Sequence, residues 1–165
     1  MAGALGLGLQ PGDAVMSLGT SGVVYAVSAT PTNDPSGEVA GFADATGAFL
    51  PLVCTLNATR VTDTVADWLG TDAAGLSALA EEADYTKASA TLVPYFSGER
   101  TPNLPNATGS IFGLRTDTSR ADLALAAHDG VLCGLLQGLG ALERAGVSVD
   151  GTVCLLYTSP SPRDA

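Results

Sequence analysis

The sequence predicts a single α/β domain: a mixed sheet entered through antiparallel strands, with helices supplied by the later part of the chain. Three observations carry this. Short apolar runs broken by turn residues fill the first third, Asp13 to Leu18 and Val23 to Val27 foremost, as consecutive strands do. From Ala58 onward apolar residues return at helical spacing. A long helical pattern from Ser119 to Ala145 then leads to Thr152 and Val153, which open another strand. Strands first, helices next and a late strand make a mixed sheet.

Ala2 to Leu9 is apolar with alternating glycines and reads as the end of a helix. Two strands follow around Gly19-Thr20-Ser21-Gly22, then a polar loop with two prolines, Thr30 to Glu38. Val39 to Phe42 and Ala48 to Cys54 are further strands, and Pro51 makes the second an edge or irregular one. Ala58 to Leu69 puts Val61, Val65, Trp68 and Leu69 on one helical face, with Gly70 as terminator. That spacing assigns Trp68 to the core. Leu76, Leu79 and Ala80 mark a shorter helix, Leu92-Val93 a strand end, and Ser110 to Leu114 a short strand. Ser119 and Asp122 form a capping box for the long helix, which stops before Gly146. Gly130, Gly134 and Gly138 recur every four residues on it. Each costs about 1 kcal/mol relative to alanine, so another backbone, most simply a packed helix, is expected close by.

The chain has 165 residues, 46% hydrophobic and 15% charged, enough for a domain with a real core. A net charge of −10 argues against nucleic acid and anionic membrane as partners. Asp122, His128, Asp129 and Gln137 interrupt the apolar stretch Ala121 to Leu142, which therefore reads as a buried helix and not a membrane span. Met1 to Gln10 lacks the basic start and long apolar run of a secretory leader. Cys54, Cys133 and Cys154 are far apart with no paired spacing, as buried thiols of a reducing compartment are. A cytoplasmic location is expected. Residues 154–165 break from the composition before them and end in a Pro/Ser tract. The string matches what a transposon-type sequencing adapter would encode, so the domain is expected to span residues 1–153, with 154–165 foreign to it.

The chemistry is concentrated in Gly19-Thr20-Ser21-Gly22. Two glycines at a hairpin turn allow positive φ and let successive N–H groups point one way. Such a nest, with the Thr20 and Ser21 hydroxyls beside it, suits an anionic oxygen. The pair Glu99-Arg100 either forms an ion pair that stiffens a Pro-flanked loop or faces a cleft.

Several blocks in order, Gly3 to Gly8, Met16 to Gly22, Val93 to Asn103 and Gly109 to Leu114, resemble the second half of FGGY-type carbohydrate kinases. Asp122-Leu123, Ala126-Ala127 and Asp129 resemble the family's second signature, with His128 at a place usually apolar. The resemblance implies an actin-like, ribonuclease-H-like domain, incomplete at both ends, with ATP and Mg²⁺ between two such domains and the sugar in their cleft. Gly19, Thr20, Ser21 and Gly22 would grip the terminal phosphates, and Thr59 and Asp63 would lie near the nucleotide. The family's general base is an Asp upstream of Met1, and Asp13 is at the wrong place to replace it. No catalytic residue is thus expected in this chain, which would need the N-terminal kinase domain as partner. Which sugar is taken (glycerol, gluconate, ribulose or another ketose) stays open, as does an actin-fold ATP-binding module without sugar chemistry.

Overall fold

A computed structural model describes residues 2–156; side chains are described from Ala4 to Gly151. The chain opens with the short helix α1 (Ala2–Gly6), then β1 (Asp13–Leu18), β2 (Gly22–Ala26) and β3 (Leu52–Thr55). Helices α2 (Thr59–Trp68) and α3 (Ala73–Glu81) follow, then β4 (Thr91–Val93), β5 (Ser110–Phe112), α4 (Arg120–Arg144) and β6 (Gly151–Leu156). The main sheet runs β3-β2-β1-β6, and β4 pairs with β5 in a separate ribbon. β1, β2 and β3 form an antiparallel meander, whereas β6 lies parallel to β1, with Asp13 opposite Gly151. This is the mixed sheet expected.

Local chemistry explains the best-defined elements. Gly12 accepts from the backbone N–H of Asp150, at 2.8 Å, which brings β6 in beside the start of β1. Ser119 caps α4 by accepting from the Asp122 N–H, and Asp122 answers by accepting from the Ser119 N–H. At the other end Gly146 takes a φ of 83°, the left-handed geometry that ends a helix. Asp72 caps α3 through the Gly75 N–H at 2.8 Å. Arg120 donates to the Leu69 carbonyl at 2.6 Å, covering the end of α2.

α4 organises the core. Its first half, with Ala124, Ala127 and Val131, packs against α2 and α3 at Val61, Val65 and Leu76. Its second half, with Leu135 and Leu142, packs on the sheet at Val24 and Val53. Among the described residues α4 is the one helix long and apolar enough to cross a membrane, and here it packs against helices and sheet.

Several expectations are corrected. The bare stripe on α4 faces strands, not a helix: a Cβ on Gly130 would lie 2.5 Å from the Leu92 carbonyl of β4, and one on Gly138 would crowd Val53 and Val24 at 3.2 and 3.3 Å. Gly134 has open space beside it, in a groove of about 350 Å³ lined by Tyr95, Asp129 and Gln137. Trp68 is not core. It is 61% exposed and lies against Phe96, ring centres 5.3 Å apart, while Val65, Ala66 and Leu69 of the same turn pack inward. Val39 to Phe42 makes isolated bridges only, such as Ala40 to Leu52, and β3 begins after Pro51.

His128 is half-buried, with no partner for Nε2 among the described residues. Burial holds its pKa below the ordinary 6.5, against the opposing charge of Asp129. The fold thus favours the neutral imidazole. Its contribution is intact above 6.5 and is lost as pH falls from there through the lowered folded-state value. The melting temperature should drop over that window, and His128→Leu should flatten the drop; a pH profile unchanged by the substitution would contradict this.

Candidate functional site

β1 and β2 end together at one edge of the sheet, where Leu18 faces Gly22 and residues 19–21 close the hairpin. Thr20 and Ser21 are exposed. Among the described residues their backbone N–H groups and hydroxyls have no partner. The Gly19 N–H is taken, donating to the Ser21 carbonyl at 3.1 Å. The available donors are therefore those of Thr20 and Ser21.

The glycines act differently from the expected nest, because neither Gly19 nor Gly22 has a positive φ. Gly22 is needed for space: a Cβ there would stand 2.5 Å from Thr55 Oγ1 and 2.6 Å from Leu135 Cδ2. A Cβ on Gly19 would meet only the Ser21 carbonyl, at 3.5 Å, an ordinary contact. Neither backbone strain nor packing within the chain requires glycine at 19.

The start of α2 lies beside the turn, since the Thr59 N–H donates to the Gly19 carbonyl at 3.0 Å. Ala58 offers no side-chain cap, and the first turn of α2 holds no acid. Beyond the Gly19 carbonyl on Thr59, no side chain compensates the positive pole of the helix next to the turn, an arrangement that favours an anion. Asp63, four residues after Thr59, shares its helix face and is exposed. Thr59 is thereby brought to the turn through its backbone, while Asp63 sits one helical turn farther away. Asp13 stands at the opposite end of β1, where its carboxylate accepts the Gln10 N–H at 2.8 Å. It is remote from the turn, as expected.

Beneath this edge is a buried polar group that sequence reasoning missed. Glu99 is 3% exposed and Asn57 2%. Glu99 Oε1 accepts the N–H of Leu56 at 2.6 Å and of Arg100 at 2.7 Å, and Oε2 accepts the Asn57 amide at 2.9 Å. Of the two alternatives, the ion pair is not formed: among the described residues Arg100 is exposed and pairs with no acid. The sequence signal at Glu99 was its pairing with the adjacent Arg100, which pointed to a different partner. No group of three or more potential metal ligands occurs among the described residues.

Residues 14–153 match the model of the C-terminal domain of the FGGY family of carbohydrate kinases. This chain belongs to that family. The FGGY domain is similar to a xylulose kinase of Streptomyces coelicolor, 53% identical over 138 residues, which are 84% of this chain and 27% of that protein. It is similar to the solved xylulose kinase of Bifidobacterium adolescentis, with a TM-score of 0.86 and 42% identity, covering 98% of this chain and 32% of that one. The glycerol kinase of Plasmodium falciparum, solved with ADP, shares the fold at a TM-score of 0.71 and 18% identity, covering 87% of this chain and 30% of that one. The chain therefore spans about a quarter to a third of the length of these relatives. Its fold is the actin-like, ribonuclease-H-like one.

Proposed function

We propose that this domain is the nucleotide-side part of a xylulokinase, which moves the terminal phosphoryl group of ATP to a hydroxyl of D-xylulose to give D-xylulose 5-phosphate and ADP. The observation that carries the reading is the exposed turn, where two amides and two hydroxyls without partners among the described residues sit against the start of α2, which has no side-chain cap. Phosphoryl transfer needs charge on the phosphate oxygens compensated by donors already in place. Thr20 and Ser21 supply such donors. Gly19 leaves room for close approach, and Gly22 lets the turn seat on Thr55 and Leu135. Identity to xylulose kinases supports the choice of sugar, as does the sequence resemblance.

In this reading ATP is the substrate, and Mg²⁺ supplies further charge compensation on its phosphates. Thr59 and Asp63 lie toward the nucleotide. The proton-accepting Asp and the sugar-reading residues belong to an N-terminal kinase domain that packs with this one, so residues 1–153 alone hold nucleotide without transferring phosphate. Residues 154–165 are foreign in origin, although Cys154–Leu156 continue β6 along β1, and a genomic frame running through them would contradict that point. The enzyme acts on small molecules in the cytoplasm, with no nucleic acid and no membrane.

The test is an ADP-release assay on the longer reading frame containing this domain. D-Xylulose should stimulate release more than glycerol, gluconate or ribulose does, and Thr20→Ala should lower kcat/KM for ATP about tenfold, the effect of losing one hydrogen bond to a charged group. Sugar-independent release would contradict the kinase reading, and preference for another of these sugars would contradict xylulose.

A further inference from the structure

We propose that Glu99 is a positioning residue for the phosphate turn, an inference that rests on the functional reading above and extends it to a side chain that touches no phosphate. Its carboxylate is buried without a cationic side chain near it among the described residues, and it is held by neutral donors instead. Removing a charge from water is costly, and charge-assisted hydrogen bonds of this kind are strong and directional. The donors are what make the placement informative. Leu56 and Asn57 are the first two of the three residues that lead from β3 into α2.

Both ends of the turn hang on that junction. On the strand side, Thr55 pairs with Gly22. On the helix side, the Thr59 N–H holds the Gly19 carbonyl. Glu99 grips the connection between them through the Leu56 N–H and the Asn57 amide, and Asn57 is held again by the Gly98 carbonyl at 2.6 Å. The loop bearing Glu99 thus sets where the two flanks of the turn lie relative to each other, and so where the Thr20 and Ser21 donors point. Glutamine keeps the shape of Glu99 but removes the charge. Its amide end must forfeit an acceptor, present N–H₂ to the N–H₂ of Asn57, or force the Asn57 amide to flip and give up the Gly98 carbonyl.

The test uses the full chain and inorganic tripolyphosphate as probe. Affinity is read by calorimetry, and amide hydrogen exchange is followed at Thr59, Val15 and Val24. Glu99→Gln should weaken tripolyphosphate about tenfold, the loss of about one hydrogen bond to a charged group. It should also speed exchange of the Thr59 amide while leaving Val15 and Val24, in the core of the sheet, as in the parent. A folded Glu99→Gln chain with unchanged affinity, or with unchanged Thr59 exchange, overturns the proposal and leaves the phosphate reading standing. If Glu99→Gln does not fold, Asn57→Ala takes its place in the same two measurements: weaker affinity with faster Thr59 exchange supports the proposal, and either quantity unchanged overturns it. A parent chain that does not bind tripolyphosphate contradicts the phosphate reading itself and takes this proposal with it.

Discussion

Gly22→Val is expected to destabilise the chain by about 1–3 kcal/mol, the usual cost of forcing extra carbon into a filled site, and to displace the turn. The first added carbon would stand 2.5 Å from Thr55 Oγ1 and 2.6 Å from Leu135 Cδ2. Neither neighbour moves cheaply. Thr55 is β-branched, fully surrounded and paired with Gly22 in the ladder. Leu135 is wholly buried on α4 between the sheet and the helix. Urea denaturation of the variant beside the parent measures the loss. A midpoint equal to the parent's would mean that the turn does not seat on these side chains.

Leu135→Ala is expected to cost more, about 2–5 kcal/mol, because truncating a buried leucine removes its packing and leaves a cavity the surroundings fill only in part. Leu135 joins the second half of α4 to Val24 and Val53, so the loss falls on the contact that holds the sheet to its helix. The two sites are coupled. Shortening Leu135 vacates one of the two places that a Cβ on Gly22 would invade, so Gly22→Ala should be less harmful in the Leu135→Ala background. A coupling of about 0.5–3 kcal/mol is expected for residues in contact. Strict additivity in the double-mutant cycle would contradict the geometry beneath the turn.

The elements that sequence reasoning located well are those whose signals are local. β1 is an apolar run between a Pro-Gly pair and the Gly-Thr turn, and its bounds, Asp13–Leu18, came out as expected. α4 carries its own start in the Ser119–Asp122 box and its own stop in Gly146. Spacing was less informative where the partner mattered. The glycine stripe shows which face of α4 is bare, yet whether a helix or a strand approaches it depends on the path of β4, far away in sequence. Trp68 fits the helical period of α2, but period does not show that Val65, Ala66 and Leu69 fill the core while Trp68 lies outside it.

The candidate site divides the same way. The turn was legible as a motif, although its glycines serve clearance and access and not positive φ. The Glu99–Asn57 link was not legible, since its partners are more than forty residues apart and Glu99 sits next to an arginine that suggests a different pairing. Backbone donors such as those of Leu56 and Thr59 leave no trace in residue identity at all.

The most direct test of the phosphate grip is a titration of the ¹⁵N-labelled chain with Mg·ATP, followed amide by amide. The largest shifts should fall on Thr20 and Ser21, with Thr59 next and the α3 amides still. Saturating shifts confined to other parts of the chain, with Thr20 and Ser21 unmoved, would contradict the account at its centre.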